Sequence, residues 1–359
     1  MDYQGGRLGL PSCNVTDTAV PDLSVQTDVP VFGTGSMSDA GSVDGVFTLL
    51  GGLAGVAPDA RQSAGTRAAL VTNQRRKPPE SKRTESMDIV KAHGAEIPAL
   101  GFGVFRMSDA EVEAIVPTAL EVGFRHFDTA QIYRNEAALG RALQAAGARR
   151  DDLFLTTKVW VDNYRKDRFA ASVDDSLDRL KVDRVDLLLL HWPGDKVAIA
   201  DQIAMLGEVQ AAGKTRFIGV SNQNIAQMKE SVAVSQAPIV TNQIEVHPYL
   251  DQRAVAAAAR EMGVAITAYY GMADGAVPRD PVLREIGAKY GKTAAQVALR
   301  WLIQQGYIAL SKTARPERVA ENLAIFDFAL SDGDMTAIGK LSRPNGRLVS
   351  PPGLAPTWD

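Results

Sequence analysis

The chain has one cysteine, Cys13, among its 359 residues, which excludes an internal disulfide and any cysteine-based zinc site. It also lacks a strong excess of either charge: the formal net charge is −3, which does not favour a nucleic-acid partner. No apolar run reaches the roughly 20 residues that a membrane span needs. These absences favour a globular protein without a membrane or nucleic-acid partner, and the low cysteine content fits a reducing, cytoplasmic setting.

Residues 1–86 differ in composition from the rest of the chain. They are rich in Gly, Ser, Thr, Asp and Pro, and they end in the charged, proline-bearing run RRKPPESKRTES (Arg75–Ser86). Ordered patterning begins at Met87. We interpret residues 1–86 as a disordered extension or a mis-assigned start, and residues 87–359 as one folded domain.

From Met87 onward, short apolar segments alternate with amphipathic segments of helical period. The alternation predicts an α/β fold, a (β/α)8 TIM barrel with parallel strands covered by helices. The predicted strands are Leu100–Phe105, Arg125–Asp128, Leu153–Val159, Val185–His191, Arg216–Asn222, Ile239–Val246, Ala265–Tyr270 and Tyr307–Lys312.

The segment before the first barrel strand, DIVKAHGAEIPAL (Asp88–Leu100), contains a glycine-bearing turn. It predicts an N-terminal β-hairpin that closes the bottom of the barrel. A doubly wound sheet is the alternative fold. It is disfavoured because neither Gly33-Thr34-Gly35 nor Gly101-Phe102-Gly103 is followed by the third glycine of the dinucleotide-binding fingerprint.

Ionisable or amide side chains recur where the predicted strands end. Barrel enzymes place their chemistry at the C-terminal ends of the strands, so these side chains are expected to converge. They are Asp128 with Tyr133 in the following loop, Lys158, His191, Ser221, Asn222, Gln243, Tyr269 and Lys312.

Each residue also has a purely structural interpretation. Asp128 could cap a helix or turn, Tyr133 could pack on an amphipathic face, and His191 could be a satisfied core histidine. Lys158, within LTTKVW, fits such an interpretation poorly because lysine is almost never buried without a partner. Together the structural interpretations weaken, because all of them must hold at the same end of one barrel.

Acid–base chemistry explains why Asp128, Tyr133, Lys158 and His191 would occur together. A tyrosine has a reference pKa near 10, and a neighbouring ammonium should lower that pKa toward the working range. Asp128 can neutralise the buried ammonium of Lys158, and a neutral His191 can orient a carbonyl oxygen beside the phenol of Tyr133. The four residues therefore predict a site that protonates a carbonyl oxygen while the carbon accepts a hydride.

These residues lie in motifs that resemble the aldo-keto reductase superfamily. GFRHFDTAQIYRNEAALGRAL resembles its first signature, LDRLKVDRVDLLLLHWP its second and SKTARPERVAENL its third. The resemblance covers about Asp88 to Asp359 and no part of residues 1–86. Within the superfamily, the stretches TAYYGMADGAV and NGRLVSPPGLAPTWD are most similar to bacterial 2,5-diketo-D-gluconate reductases of the B type.

The resemblance implies a role for each matching position. The catalytic set would be Tyr133 as proton donor, Lys158 as its activating lysine, Asp128 as the lysine's partner and His191 as the substrate-orienting histidine. The NADPH-binding set would be Ser221, Asn222, Gln243, Tyr269, Lys312, Thr313, Arg318, Glu321 and Asn322. The substrate-binding set would be Phe105, Trp160 and Trp192.

The resemblance also implies a monomer that reduces a small carbonyl compound with NADPH, such as 2,5-diketo-D-gluconate, methylglyoxal or a related aldehyde or ketone. An NADPH-binding barrel with a sensor or regulatory-subunit role is an alternative. A phosphate-binding lyase or isomerase is a weaker one. The run Tyr269-Tyr270-Gly271-Met272-Ala273 departs from the family's usual Tyr-Ser-Pro-Leu-Gly, so the path of the loop expected near the cofactor pyrophosphate stays open.

Overall fold

A computed structural model describes residues 87–359. The interpretation of residues 1–86 falls outside this range and stays a prediction. Within the described range, eight parallel strands close a barrel in the order β10-β3-β4-β5-β6-β7-β8-β9, with a separate two-stranded antiparallel sheet, β1-β2. The predicted TIM barrel is confirmed, and the doubly wound alternative is wrong.

All eight predicted barrel strands are present, several of them shorter than the apolar run that predicted them. The strands are β1 (Ile89–Ala92), β2 (Ala95–Pro98), β3 (Leu100–Gly103), β4 (His126–Asp128), β5 (Phe154–Val159), β6 (Val185–Leu190), β7 (Thr215–Ser221), β8 (Ile239–Glu245), β9 (Ala265–Tyr269) and β10 (Ile308–Ser311).

One helix follows each of the strands β3 to β8, while two helices follow β9 and two follow β10. The helices are α1 (Asp109–Val122), α2 (Glu136–Ala145), α3 (Phe169–Leu180), α4 (Ile199–Ala211), α5 (Ile225–Val234), α6 (Arg253–Glu261), α7 (Pro281–Tyr290), α8 (Ala294–Gln304), α9 (Pro316–Leu323) and α10 (Asp332–Gly339).

Local sequence explains where several helices begin. Ser108 precedes α1 and forms a reciprocal capping box with Glu111, in which each side chain accepts a backbone N–H of the other residue. Thr293 and Gln296 repeat the arrangement at the start of α8. Such caps satisfy N–H groups that have no partner within the helix, so they fix the first turn.

The N-terminal hairpin packs into one end of the barrel, as predicted. Ala95 and Ile97 of β2 are fully buried, and they share an apolar cluster with the barrel residues Phe154, Leu187 and Val240. Phe154 is the first residue of β5 and Val240 the second of β8, so the cluster lies at the N-terminal ends of the strands. The hairpin therefore closes the end opposite the candidate site.

Close backbone packing fixes the position of the helix that follows the first signature. A Cβ atom added at Gly140 of α2 would lie 2.6 Å from the carbonyl oxygen of Arg179 and 2.7 Å from that of Leu180. Glycine at this position therefore lets α2 approach the end of α3 more closely than any larger residue would.

Within residues 87–359, we find no helix with the length and apolar character required to cross a bilayer.

Candidate active site

All of the side chains that were predicted to converge, except Lys312, form one connected group at the C-terminal end of the barrel. Asp128 is the last residue of β4, Lys158 lies one residue from the end of β5, and His191 directly follows β6. Adjacent strands bring them together: Asp128 pairs with Thr156, and Lys158 pairs with Leu189. The barrel thus gathers residues that are more than 60 positions apart in the chain.

Lys158 is the centre of the cluster. Its side chain is almost fully buried, and its Nζ donates to Asp128 Oδ1 at 2.5 Å, to the carbonyl oxygen of Thr129 at 2.9 Å and to Tyr133 Oη at 3.4 Å. The second carboxylate oxygen of Asp128 accepts Gln243 Nε2 at 2.9 Å. All three donors of the ammonium and both oxygens of the carboxylate are therefore engaged, as a buried ion pair requires.

The pKa of Tyr133 differs from the sequence-based expectation. Burial, together with the negative charge of Asp128, holds the pKa of the Tyr133 phenol well above 10. Burial also lowers the pKa of Lys158, while Asp128 raises it in opposition. The expectation that Lys158 brings the Tyr133 pKa down to the working range is therefore wrong for this structure, because desolvation of the phenolate and the charge of Asp128 both raise that pKa.

His191 lies against the phenol and keeps a free ring nitrogen. The ring centroids of Tyr133 and His191 are 5.6 Å apart at an interplanar angle of 79°, and the Trp160 ring lies 5.2 Å from His191 on another side. Burial and the nearby charge of Lys158 lower the pKa of His191 well below 6.5, so the imidazole is neutral at neutral pH. Its buried Nδ1 has no hydrogen-bond partner among residues 87–359.

The loop that carries Tyr133 is fixed by residues that the sequence did not single out. Asn135 is buried, donates through Nδ2 to the carbonyl oxygens of Val104 and Met107, and accepts Thr129 Oγ1 at 3.1 Å. These bonds tie the loop after β4 to the loop after β3. Asn135 is near Tyr133 in the first signature, but a polar residue in a loop gave no signal that it would be buried.

Gln131 makes a second connection, between the Tyr133 loop and the Trp160 loop. Its Oε1 accepts the backbone N–H of Trp160 at 2.9 Å and Asn163 Nδ2 at 2.8 Å, while its Nε2 donates to the carbonyl oxygen of Ser172 in α3. One amide side chain therefore connects the loop that carries Tyr133 to the loop that carries Trp160 and to α3.

Buried Glu136 forms a network behind the catalytic cluster. It accepts Thr157 Oγ1 at 2.6 Å, Ser176 Oγ at 3.3 Å and Arg179 Nε at 2.8 Å. The network joins α2 and α3 to β5 beside Lys158. Its charge also favours the protonated form of Lys158, which partly opposes the lowering of the lysine pKa by burial.

A chain of amide and hydroxyl groups runs beside the cluster, on β7, β8 and β9. Asn222 has a left-handed φ of 60° and donates through Nδ2 to the carbonyl oxygen of His191 and to Ser221 Oγ. Its Oδ1 accepts Tyr269 Oη at 2.7 Å, and Ser221 Oγ donates to the backbone oxygen of Gln243. Four residues predicted to contact the nicotinamide thus form one connected group next to His191.

The residues predicted for the adenosine end form a separate group, after β10 and on α9. Lys312 and Arg318 are exposed, and Thr313 and Asn322 are buried. Glu321 Oε1 accepts Thr293 Oγ1 at 2.7 Å, so its carboxylate already supports the start of α8. Among residues 87–359, no side chain caps the start of α9, where Arg315 holds the N-cap position. Pro316 has no backbone N–H, so the feature of this stretch that suits a phosphate group is its three cations, Lys312, Arg315 and Arg318.

The aromatic residues predicted for the substrate site divide between two places. Phe105 is 41% exposed, and its ring centroid is 5.0 Å from that of Tyr133. Trp160 packs on His191, so the rings of Phe105 and Trp160 both flank the catalytic cluster. Trp192 is 5% exposed and packs edge-on against Trp358 near the chain end, with 6.4 Å between ring centroids.

The loop after β9, whose sequence departs from the family pattern, has a constrained path. Tyr270, Ala273 and Asp274 all have positive φ, between 46° and 62°, which is uncommon for residues other than glycine. Arg106 of the loop after β3 donates to Tyr270 Oη at 3.5 Å and lies 4.0 Å from Asp274. Lys312 Nζ donates to the backbone oxygen of Arg106. The two loops therefore meet at the mouth of the barrel.

The chain resembles known reductases in sequence. The profile described as "Aldo/keto reductase family" matches residues 99–343. Methylglyoxal reductase DkgB of Salmonella typhimurium is 45% identical over 73% of this chain and 99% of its own length. Glyoxal reductase of Bacillus subtilis is 36% identical over 72% of this chain and 94% of its own length.

Solved structures agree with these relatives. A structure assigned to a 2,5-diketo-D-gluconic acid reductase B is 61% identical, covers 77% of this chain and 99% of its own, and has a TM-score of 0.76. An aldo-keto reductase of Bombyx mori, solved in complex with NADP, is 32% identical, covers 71% of this chain and 93% of its own, and has a TM-score of 0.68. The resemblance to the superfamily and to its B-type diketogluconate reductases is confirmed. The chain belongs to the aldo/keto reductase family and is an NAD(P)-dependent oxidoreductase.

Proposed function

We propose that the protein reduces small carbonyl compounds to alcohols with NADPH, and that methylglyoxal, 2,5-diketo-D-gluconate or similar aldehydes and ketones are its substrates. One observation carries the proposal: Lys158 Nζ is bonded to Asp128 and lies 3.4 Å from Tyr133 Oη, beside a neutral His191. The substrate class follows from the names of the relatives described above.

Tyr133 is the proton donor in this proposal. Because burial holds its pKa well above 10, the phenol keeps its proton throughout the neutral range and is always in the donating form. Release of this proton requires that the remaining phenolate be stabilised. The hydrogen bond from the Lys158 ammonium supplies this stabilisation, since a charged donor binds an oxyanion more strongly than it binds a neutral hydroxyl.

His191 orients the substrate. A neutral imidazole carries one N–H donor, and its position against the Tyr133 ring allows both groups to reach the same carbonyl oxygen. Asn222 fixes the backbone of His191 from behind by donating to its carbonyl oxygen. The carbonyl oxygen would then receive a hydrogen bond from His191 and a proton from Tyr133.

The residues beside the cluster suit a nicotinamide dinucleotide. When bound, a reduced nicotinamide supplies the hydride for the carbonyl carbon. Ser221, Asn222 and Gln243 offer hydroxyl and amide groups to a carboxamide, and Tyr269 offers a ring face. Lys312 and Arg318 would stabilise a 2′-phosphate by their positive charge, and this supports a preference for NADPH over NADH.

The site is suited to small substrates. Eight residues separate the end of β6 from the start of α4, so the loop after His191 is short and adds little to the pocket. Phe105, Trp160 and Trp192 would line the pocket. We further propose that the protein is a monomer located in the cytoplasm. The cytoplasmic location is based on the low cysteine content, and the monomeric state is the one that is common in the family.

Steady-state oxidation of NADPH tests the proposal. The purified protein should turn over methylglyoxal, 2,5-diketo-D-gluconate or an aromatic aldehyde, and NADH should serve less well than NADPH. A preference of about tenfold in kcat/KM, or roughly 1.4 kcal/mol, would name the substrate class. Tight NADPH binding without turnover of any carbonyl would instead favour the sensor role, which the reductase names of the relatives do not favour.

A further inference from the structure

Glu245, the last residue of β8, is a fully buried carboxylate with no part in the chemistry described above. Its Oε1 accepts His247 Nε2 at 2.9 Å and the backbone N–H of Leu348 at 2.7 Å. Its Oε2 accepts the backbone N–H of Val349 at 3.0 Å and lies 3.7 Å from Arg347 Nη1. Three of its four partners belong to one short segment near the end of the chain.

This segment begins a tail, residues 347–359, that crosses the loops around the candidate site. The Arg347 guanidinium stacks on the Trp358 ring at 3.6 Å from the centroid. Trp358 Nε1 donates to Ser350 Oγ at 3.0 Å, so the tail folds back on itself. Its far end is bound to the start of α5, where Asn224 Nδ2 donates to the carbonyl oxygen of Thr357 at 2.9 Å.

The fold of the tail places Trp358 against Trp192. Trp192 follows His191 directly in the chain, so the tail packs against the residue next to the one proposed to orient the carbonyl. Hydrogen bonds to a buried carboxylate are about twice as strong as those between neutral groups. Glu245 is therefore a buried, charged attachment for the segment that carries Trp358 into position.

We propose that Glu245 is a positioning residue for substrate binding: by anchoring residues 347–349 it holds Trp358 against Trp192 as a wall of the substrate pocket. The inference rests on the proposed reductase activity. It assigns no contact between Glu245 and substrate or cofactor, and the effect that it assigns to Glu245 passes through the tail.

Glu245→Gln tests the inference with little change in shape. The amide keeps one acceptor oxygen but presents an NH2 group to the tail, so it cannot accept both backbone N–H groups, and it removes the carboxylate that lies 3.7 Å from Arg347 Nη1. We expect the KM for the carbonyl substrate to rise about tenfold, as when a pocket loses an apolar contact. The kcat should change by less than about twofold, because the catalytic cluster is intact.

Asp186→Asn is the matched control. Asp186, on β6 near the hairpin end of the barrel, is also a buried carboxylate, and it is bonded to Arg150, Arg216 and the backbone N–H of Leu155. Its loss should lower stability without changing the KM. A rise in KM as large as that of Glu245→Gln would assign the effect to general destabilisation and overturn the inference.

A double-mutant cycle with Trp358→Ala tests whether Glu245→Gln changes the KM through Trp358. If Glu245 acts through Trp358, the KM of Glu245→Gln/Trp358→Ala should match that of Trp358→Ala alone. If Glu245→Gln multiplies the KM by the same factor in both backgrounds, or leaves it unchanged in the wild-type background, the inference is wrong.

Limited trypsin digestion tests whether Glu245 anchors the tail, and it does not require the protein to reduce any carbonyl compound. The bond after Arg347 should be cut faster in Glu245→Gln than in the wild type or Asp186→Asn, releasing residues 348–359. Equal rates would contradict the anchor even if no carbonyl were reduced, so failure of this inference is separable from failure of the proposed function. Should Glu245→Gln not fold, Val349→Pro removes one donor from the tail side and should give the same faster cleavage and raised KM.

Discussion

The Nζ atom of Lys158 lies 3.4 Å from the hydroxyl oxygen of Tyr133, inside a barrel where the lysine side chain is almost fully buried. The distance allows a hydrogen bond from the ammonium to the phenol. Asp128 keeps the ammonium charged against the cost of burial, so the pair is held in the form in which the lysine donates and the tyrosine retains its proton.

Lys158→Met should reduce kcat by about a hundredfold or more, because the phenolate left by proton transfer would lose its charged donor. The variant should also lower the free energy of unfolding by about 3–5 kcal/mol, since Asp128 stays buried without its partner. Steady-state kinetics and urea unfolding measure the two effects. Lys91→Met, at an exposed pair with Glu96, is the control and should leave both quantities nearly unchanged. If Lys158→Met kept the wild-type kcat, Lys158 would have no role in the proton transfer.

Arg318→Ala should raise the KM for NADPH by about 10- to 100-fold, the range expected for one lost bond to a charged group. The KM for NADH should change little, because NADH has no 2′-phosphate. Both values come from cofactor titrations at saturating carbonyl substrate. Equal effects on the two cofactors would place Arg318 away from the 2′-phosphate.

Stability should fall as the pH drops below 6.5. Burial lowers the pKa of both His126 and His191 in the folded protein, so near and below pH 6.5 the unfolded chain binds more protons than the native one. This stability is fully present above the unfolded pKa and is lost as the pH falls from there through the lower folded pKa. Urea unfolding at pH 7.5 and 5.5 measures the difference. His126→Asn should weaken the dependence, and a protein equally stable at both values would contradict the two shifts.

Gly140→Ala and Gly207→Ala should have opposite effects, although both glycines lie in helices. At Gly140 the new methyl group would meet the backbone of Arg179 and Leu180, whereas nothing lies within 4 Å of the Cβ position at Gly207. We expect the first change to destabilise by about 1–3 kcal/mol and the second to stabilise by about 0.4–1 kcal/mol. Thermal unfolding of both variants measures this. A neutral Gly140→Ala would mean that α2 can move away from α3.

The barrel could be predicted because its signals are local. Each strand is a short apolar run, and the polar residue at its end, such as Asp128 or His191, marks the side of the barrel where the chemistry lies. Lys158 gave the clearest signal, since an ammonium within an apolar strand requires a nearby anion. Parallel pairing in a closed barrel then brings these residues together without further information.

The connections behind the site could not be predicted, because they depend on burial and on distant pairing. Glu245 and the N–H of Leu348 are 103 residues apart, and nothing in either segment signals the other. Gln131 and Asn135 look like ordinary loop residues until the loops around them are placed. The pKa of Tyr133 was expected in the wrong direction because sequence reveals the neighbouring charge but not the depth of burial.

The kcat of Tyr133→Phe tests the central claim most directly. Measured with NADPH and the best carbonyl substrate, it should fall by about a hundredfold to ten-thousandfold, while NADPH binding, followed by fluorescence titration, stays within severalfold of the wild type. Such a result would identify Tyr133 as the proton donor. A phenylalanine variant that reduces the carbonyl at the wild-type rate would contradict the account.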